Sequence, residues 1–218
     1  MQGTAVLSLE PLRRFVQAAS LAVNACGATE PPLQLLAWQL RTLLAQDDWL
    51  PAELARPRQG CSTYLLYADP VDRFSVVSYV TAPGFRSPVH DTGVWSVFGM
   101  LRGEHRLRLH DRAPDGRPAA ADEVLRLRPG EVLPPEPGRM PMFQIDNPHA
   151  DAPGVGIHVY GGVLAGLQSL GFDEHGEAHA HVFSYANSWI PNLWSRRHGP
   201  RPDEAGAPPT WRALPHGT

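Results

Sequence analysis

Along the first fifty residues, apolar positions recur mostly at helical spacing. Leu7, Leu9, Leu12, Phe15, Val16, Ala19 and Val23 gather on one helical face. Pro11 suits the first turn of such a helix, and Gly27 suits its end. A second helix is predicted to open at Pro31 and Pro32, with Leu35, Leu36, Trp38, Leu40, Leu43 and Leu44 recurring along it and residues 47–51 closing it. After Arg56 the pattern changes. Short runs rich in β-branched and aromatic residues appear at 64–67, 74–81, 94–101, 104–110, 124–127, 142–145 and 155–160. Turns at Pro83-Gly84, Arg102-Gly103, Asp115-Gly116 and Pro129-Gly130 punctuate them. About eight short strands so divided predict a β-sandwich or barrel. The expected organisation is a helical segment over 1–55 packed on a barrel over 56–195, followed by a loose Pro-, Gly- and Ala-rich tail over 196–218.

Composition narrows the functional classes. The chain has 218 residues, enough to bury a core without disulfides or metal staples. Nineteen basic residues, all Arg, face twenty-two acidic ones for a net charge of −3. No lysine Schiff base can form, and the missing basic excess argues against a nucleic-acid partner. Two cysteines, Cys26 and Cys61, make neither a disulfide framework nor a Cys-rich zinc site. No basic, apolar and cleavable leader pattern opens the chain, and no apolar run is long enough for a membrane span. A cytoplasmic protein without membrane partners is expected.

Residues 74–103 read FSVVSYVTAPGFRSPVHDTGVWSVFGMLRG, in which Gly84, His90 and Gly103 stand as in the first motif of the cupins. Other pieces are spread along the chain. They are Asp48-Trp49-Leu50-Pro51, Leu65-Leu66-Tyr67, Arg73-Phe74-Ser75, Pro88-Val89-His90-Asp91, Ile157-His158-Val159-Tyr160-Gly161-Gly162, Tyr185-Ala186-Asn187 and Pro191-Asn192-Leu193-Trp194. In order and spacing, from about residue 7 to 195, they resemble the cysteine dioxygenase family, including the bacterial 3-mercaptopropionate dioxygenases. The resemblance implies a mainly β fold: a cupin (double-stranded β-helix, jelly-roll) barrel with two N-terminal α-helices. It also implies Fe(II) held by three neutral histidines, with positions left for a thiolate substrate and dioxygen.

At those ligand positions this chain departs from the family. The His-Asp-His run reads His90-Asp91-Thr92, and the third histidine, four residues before Asn147-Pro148, is Phe143. Only His90 remains as a candidate metal ligand. The family's Ser-His-Tyr relay reads Gly156, His158 and Tyr160. Strand alternation puts His158 and Tyr160 on one face, where they are candidates for acid–base catalysis. Ser96 and Val97 stand where some relatives carry a cysteine crosslinked to that tyrosine. Thr63 and Gln168 occupy positions that hold the substrate carboxylate in relatives. With Thr92, Trp95 and Phe143 they make up the candidate substrate pocket. His175, His179 and His181 fall in a polar stretch read as a solvated loop. The expected function is a thiol dioxygenase-like cupin with its iron site largely lost, acting on or binding a small molecule. The alternatives are an active dioxygenase with rebuilt ligands and a purely binding module.

Overall fold

The helix α1 runs Glu10–Cys26 and α2 runs Leu33–Leu44 in a computed structural model that describes residues 7–26, 32–119, 124–133, 141–173 and 175–194. Glu10 begins α1 as an acidic first-turn residue and pairs with Arg14 at 2.9 Å and with Arg13. The apolar stripe read from the sequence is the buried face. Leu12, Phe15, Val16, Ala19 and Val23 meet Leu36, Leu40 and Leu44 in one core. Gly27 and Pro31, assigned to the helix ends, lie outside the described residues, as does the tail over 196–218.

Among the described residues, ten strands form two antiparallel sheets. The first sheet has the order β1 (Cys61–Ala68), β2 (Ser75–Thr81), β8 (Gly154–Tyr160), β4 (Ser96–Arg102). The second has the order β10 (Ala178–Val182), β9 (Gln168–Phe172), β3 (Val89–His90), β7 (Met142–Asp146), β5 (His105–His110), β6 (Val124–Leu127). Sequence-distant strands lie side by side in both sheets, the pattern of a double-stranded β-helix. The architecture is mainly β with two N-terminal helices on the outer face of the first sheet.

Alternation sorts the side chains of that sheet into two cores. Val76, Val80, Val97, Leu101, Val155, Ile157 and Val159 face the helices. Val77, Tyr79, Phe98, Met100 and Tyr160 face the second sheet and meet Leu107, Phe143 and Ile145. The helices come close because Gly99 on β4 has no side chain. A Cβ there would lie 2.5 Å from Leu44 Cδ1 and 3.0 Å from Leu40 Cδ2.

Three strands depart from the reading by periodicity. β3 has two residues, too few for any period to show. β9 has little apolar alternation. Residues 178–181, part of the stretch expected as a solvated loop, form most of β10 instead, while residues 175–177 lie outside the strands. Every residue of β10 is exposed and it lies at the sheet's edge, so only backbone pairing to β9 makes it a strand.

Gly99→Val should force Leu40 and Leu44 off the sheet and cost about 1–3 kcal/mol, the range for overpacking a tight contact. Urea denaturation checks this; an unchanged midpoint would mean that α2 does not seat on Gly99.

Candidate functional site

Beside the β1 edge of the first sheet, the β9–β10 hairpin of the second borders a partly open cavity of about 220 Å³. Its wall includes Thr63 from β1, Tyr79 from β2, His90 from β3, His179 and His181 from β10, and Phe183 just beyond. The chain after β10 then crosses to β1. Ala186 N donates to the Thr63 carbonyl at 2.8 Å. The Asn187 carboxamide imitates a neighbouring strand: its Oδ1 accepts from Leu65 N at 2.8 Å and its Nδ2 donates to Leu65 O at 2.9 Å. This pins the β1 edge, which otherwise presents unpaired backbone groups.

Behind Tyr79 lies a second polar group, sealed in the barrel. His158 Nδ1 and the Tyr160 phenol share a hydrogen bond of 3.1 Å. The His158 ring stacks on Tyr79 at 5.1 Å between centroids and tilts against Phe98 at 4.5 Å. Gly156 makes room for it, since a Cβ there would lie 2.6 Å from His158 Nε2. Close by, His105 Nε2 and the Thr81 hydroxyl are 2.9 Å apart. Burial holds His158 well below the usual imidazole range, helped by the nearby His105. Burial also lowers His105 to about 4 and raises the Tyr79 and Tyr160 phenols above their ordinary range. Both imidazoles are thus neutral and both phenols protonated at neutral pH.

The candidate residues are dispersed. Thr63 and His90 line the cavity. His158 and Tyr160 are both buried in the barrel and neither is on the cavity wall. Gln168 is on the outside of the β9–β10 hairpin, in an open groove with Asp91 and Ala180. Trp95 covers Gly161 and packs with the helix-side core. Thr92 is buried and donates its hydroxyl to the Val94 carbonyl at 2.8 Å. Phe143 pairs across strands with His90 and meets its ring edge-on at 5.1 Å and that of Phe98 at 5.0 Å.

These residues do not fit the Fe(II) centre that the resemblance implies. Phe143 offers ring carbon where a lone pair is needed, and the Thr92 hydroxyl is committed to a carbonyl. Among the described residues, no group of three or more His, Cys, Asp or Glu side chains could hold a metal ion. Ser96 on β4 pairs directly with Tyr160, so the position beside that phenol carries no thiol. Sequence reading missed Tyr79, His179 and His181 as wall residues. The His-x-His alternation was visible, but only pairing to β9 shows that these two histidines share a face.

No family model matches the chain. Solved structures similar to it include the TT1209 protein of Thermus thermophilus, at 20% identity over 54% of this chain and 98% of that one, with a TM-score of 0.40. A double-stranded β-helix protein of Klebsiella pneumoniae is 16% identical over 60% of this chain and 85% of its own, with a TM-score of 0.39. The cupin domain of Schizosaccharomyces pombe Cnp3 is 12% identical over 52% of this chain and 72% of its own, also at 0.39. The fold is a cupin barrel. The strand order of the two sheets carries that statement. Among the described residues, no helix is long and apolar enough to cross a membrane.

The neutral buried histidines set a pH dependence. Below about pH 6.5 the unfolded chain takes up protons at these histidines. The folded chain refuses them until about 4 at His105, and burial holds His158 well below the usual imidazole range as well. Their contribution to stability is therefore full above about pH 6.5 and falls as the pH drops through that window, by up to ~1.4 kcal/mol per pH unit for each histidine. Urea denaturation of the wild type and of His105→Gln, between about pH 7 and about pH 5, should give a shallower loss in the variant. Equal slopes would show that His105 does not resist protonation.

Proposed function

We propose that this protein is a cupin-type binding module for a compact small molecule. In this reading it is similar to the thiol dioxygenases in ancestry but does not use their three-histidine iron chemistry. The observation that carries the reading is the exchange of space within the barrel. Where relatives are expected to place iron, Phe143, Phe98, His158 and Tyr160 pack ring against ring. The open volume instead lies beside the β1 edge, walled by Thr63, Tyr79, His90 and Phe183. At about 220 Å³ it is smaller than the ~300–1,000 Å³ of pockets for drug-sized ligands, so the ligand is compact.

The wall combines aromatic faces with hydroxyls and imidazoles. It suits a ligand with one apolar part and one or two hydrogen-bonding groups. An acid–base role for His158 and Tyr160 is the less favoured reading. Both are buried in the barrel, and a general base must reach the proton it takes. Dioxygen and a thiol belong to the enzyme reading and have no assigned place in this one.

Two measurements on the purified chain test the proposal. Protein incubated anaerobically with Fe(II), then mixed in air with cysteine or 3-mercaptopropionate, should consume no more oxygen than free Fe(II) does. A panel of compact ligands, screened by thermal shift, should include compounds that raise the melting temperature of the wild type but not of Thr63→Trp, whose indole fills the cavity. Thiol-dependent oxygen uptake with sulfinate formation would overturn the proposal, and so would ligands that stabilise both proteins equally.

A further inference from the structure

Most hydrogen-bonding groups on the cavity wall are already committed. The Ser87 hydroxyl donates to the Pro88 carbonyl at 2.9 Å and accepts from Ile145 N at 2.9 Å. The Ser62 hydroxyl accepts from Arg58 N at 2.9 Å. The buried Tyr79 phenol interacts with the Cys61 thiol on β1. Phe85 and Phe183 add apolar rings. Among the described residues, the wall carries no carboxylate and no guanidinium.

His90 is the exception. Its Nδ1 lies 2.9 Å from the Pro88 carbonyl. A carbonyl can only accept, so in the neutral ring Nδ1 holds the proton and Nε2 keeps a bare lone pair. Nε2 accepts no hydrogen bond from any described residue, and it is not sealed away from solvent either. Backbone pairing of His90 with Phe143 and Gly171, and the edge-on contact with the Phe143 ring at 5.1 Å, fix the imidazole in the wall. Burial lowers its pKa from the ordinary imidazole value, so the ring is neutral at neutral pH. The Thr63 hydroxyl also lacks a partner among the described residues, but a hydroxyl rotates to give or to take a hydrogen bond and so selects little. His179 and His181 belong to β10, whose residues are all exposed, so solvent can serve them.

We propose that the cavity selects uncharged ligands carrying a hydroxyl or N–H donor, and that His90 Nε2 is the acceptor that reads this donor. The inference rests on the cavity being a binding site and adds the chemical class of its ligand. A donor replaces in kind the hydrogen bond that solvent gives Nε2. An ether of similar shape excludes solvent and returns nothing, leaving the lone pair unpaired. A carboxylate sets negative oxygens against the same lone pair and is accepted only if the ring takes up a proton, which burial opposes. An ammonium group would enter a wall without a carboxylate to receive it.

Titration of the full chain with phenol, anisole and benzoate, followed by NMR, tests this. Phenol should bind about fivefold more tightly than anisole, the effect of one hydrogen bond, and benzoate should bind no better than anisole. His90→Phe keeps a ring against Phe143 but has no lone pair, and should bind phenol and anisole alike. The imidazole nitrogen resonances of the wild type give a readout that needs no variant. The His90 Nε2 signal should move upfield on adding phenol and much less on adding anisole. Anisole or benzoate binding as tightly as phenol, and lost in Thr63→Trp, would overturn the proposal while leaving the cavity a binding site. A phenol preference that survives in His90→Phe would overturn it as well. Should none of the three probes bind, the proposal falls, and the panel of compact ligands judges the cavity separately.

Discussion

Strand β8 is the constraint on which the rest of this molecule depends. All seven of its residues, Gly154–Tyr160, are buried, and it hydrogen-bonds to β2 on one side and β4 on the other. Val155, Ile157 and Val159 carry the core shared with the helices, while Gly156, His158 and Tyr160 turn into the barrel. A slip of one residue would exchange the two sets. It would bury two polar rings against leucines and bring valines to the centre of the barrel. The apolar demand of the helices therefore fixes where the imidazole and phenol point.

That placement has consequences for the chemistry. His158 folds over the space left by Gly156, stacks on Tyr79 and is bonded to Tyr160, and Phe98 and Phe143 close around it. A barrel filled in this way holds its polar groups neutral, because burial disfavours their charged forms. Reactive groups that solvent can reach lie instead at the barrel's edge, where the exposed hairpin β9–β10 adds two histidines beside His90. The interior is thus closed and structural, while the lip is open.

The division between the two kinds of information follows the range of the interactions. Periodicity showed the two helices and seven of the strands, because one buried face writes a period of 3.6 or 2 into the sequence. The departures at Thr92 and Phe143 were also legible, because a missing donor is a property of the residue itself, whatever surrounds it. The Gly156, His158 and Tyr160 alternation placed the last two on one face, and the structure joins them by a hydrogen bond. β3 and β10 were not legible. The first is too short to show a period and the second has no buried side chain to impose one.

The sequence by itself determined the fold class, the identity of the buried faces and the absence of imidazole at positions 92 and 143. Only the tertiary structure decided which polar residues meet. It carried Gln168 and Trp95 away from the cavity and sealed His158 and Tyr160 inside the barrel. It also brought His179 and His181 to His90 across about ninety residues of chain. The physical reason is that burial of an apolar face is encoded locally. The pairing of edge strands rests on backbone hydrogen bonds, which every residue except proline offers alike, so side-chain identity does not announce it.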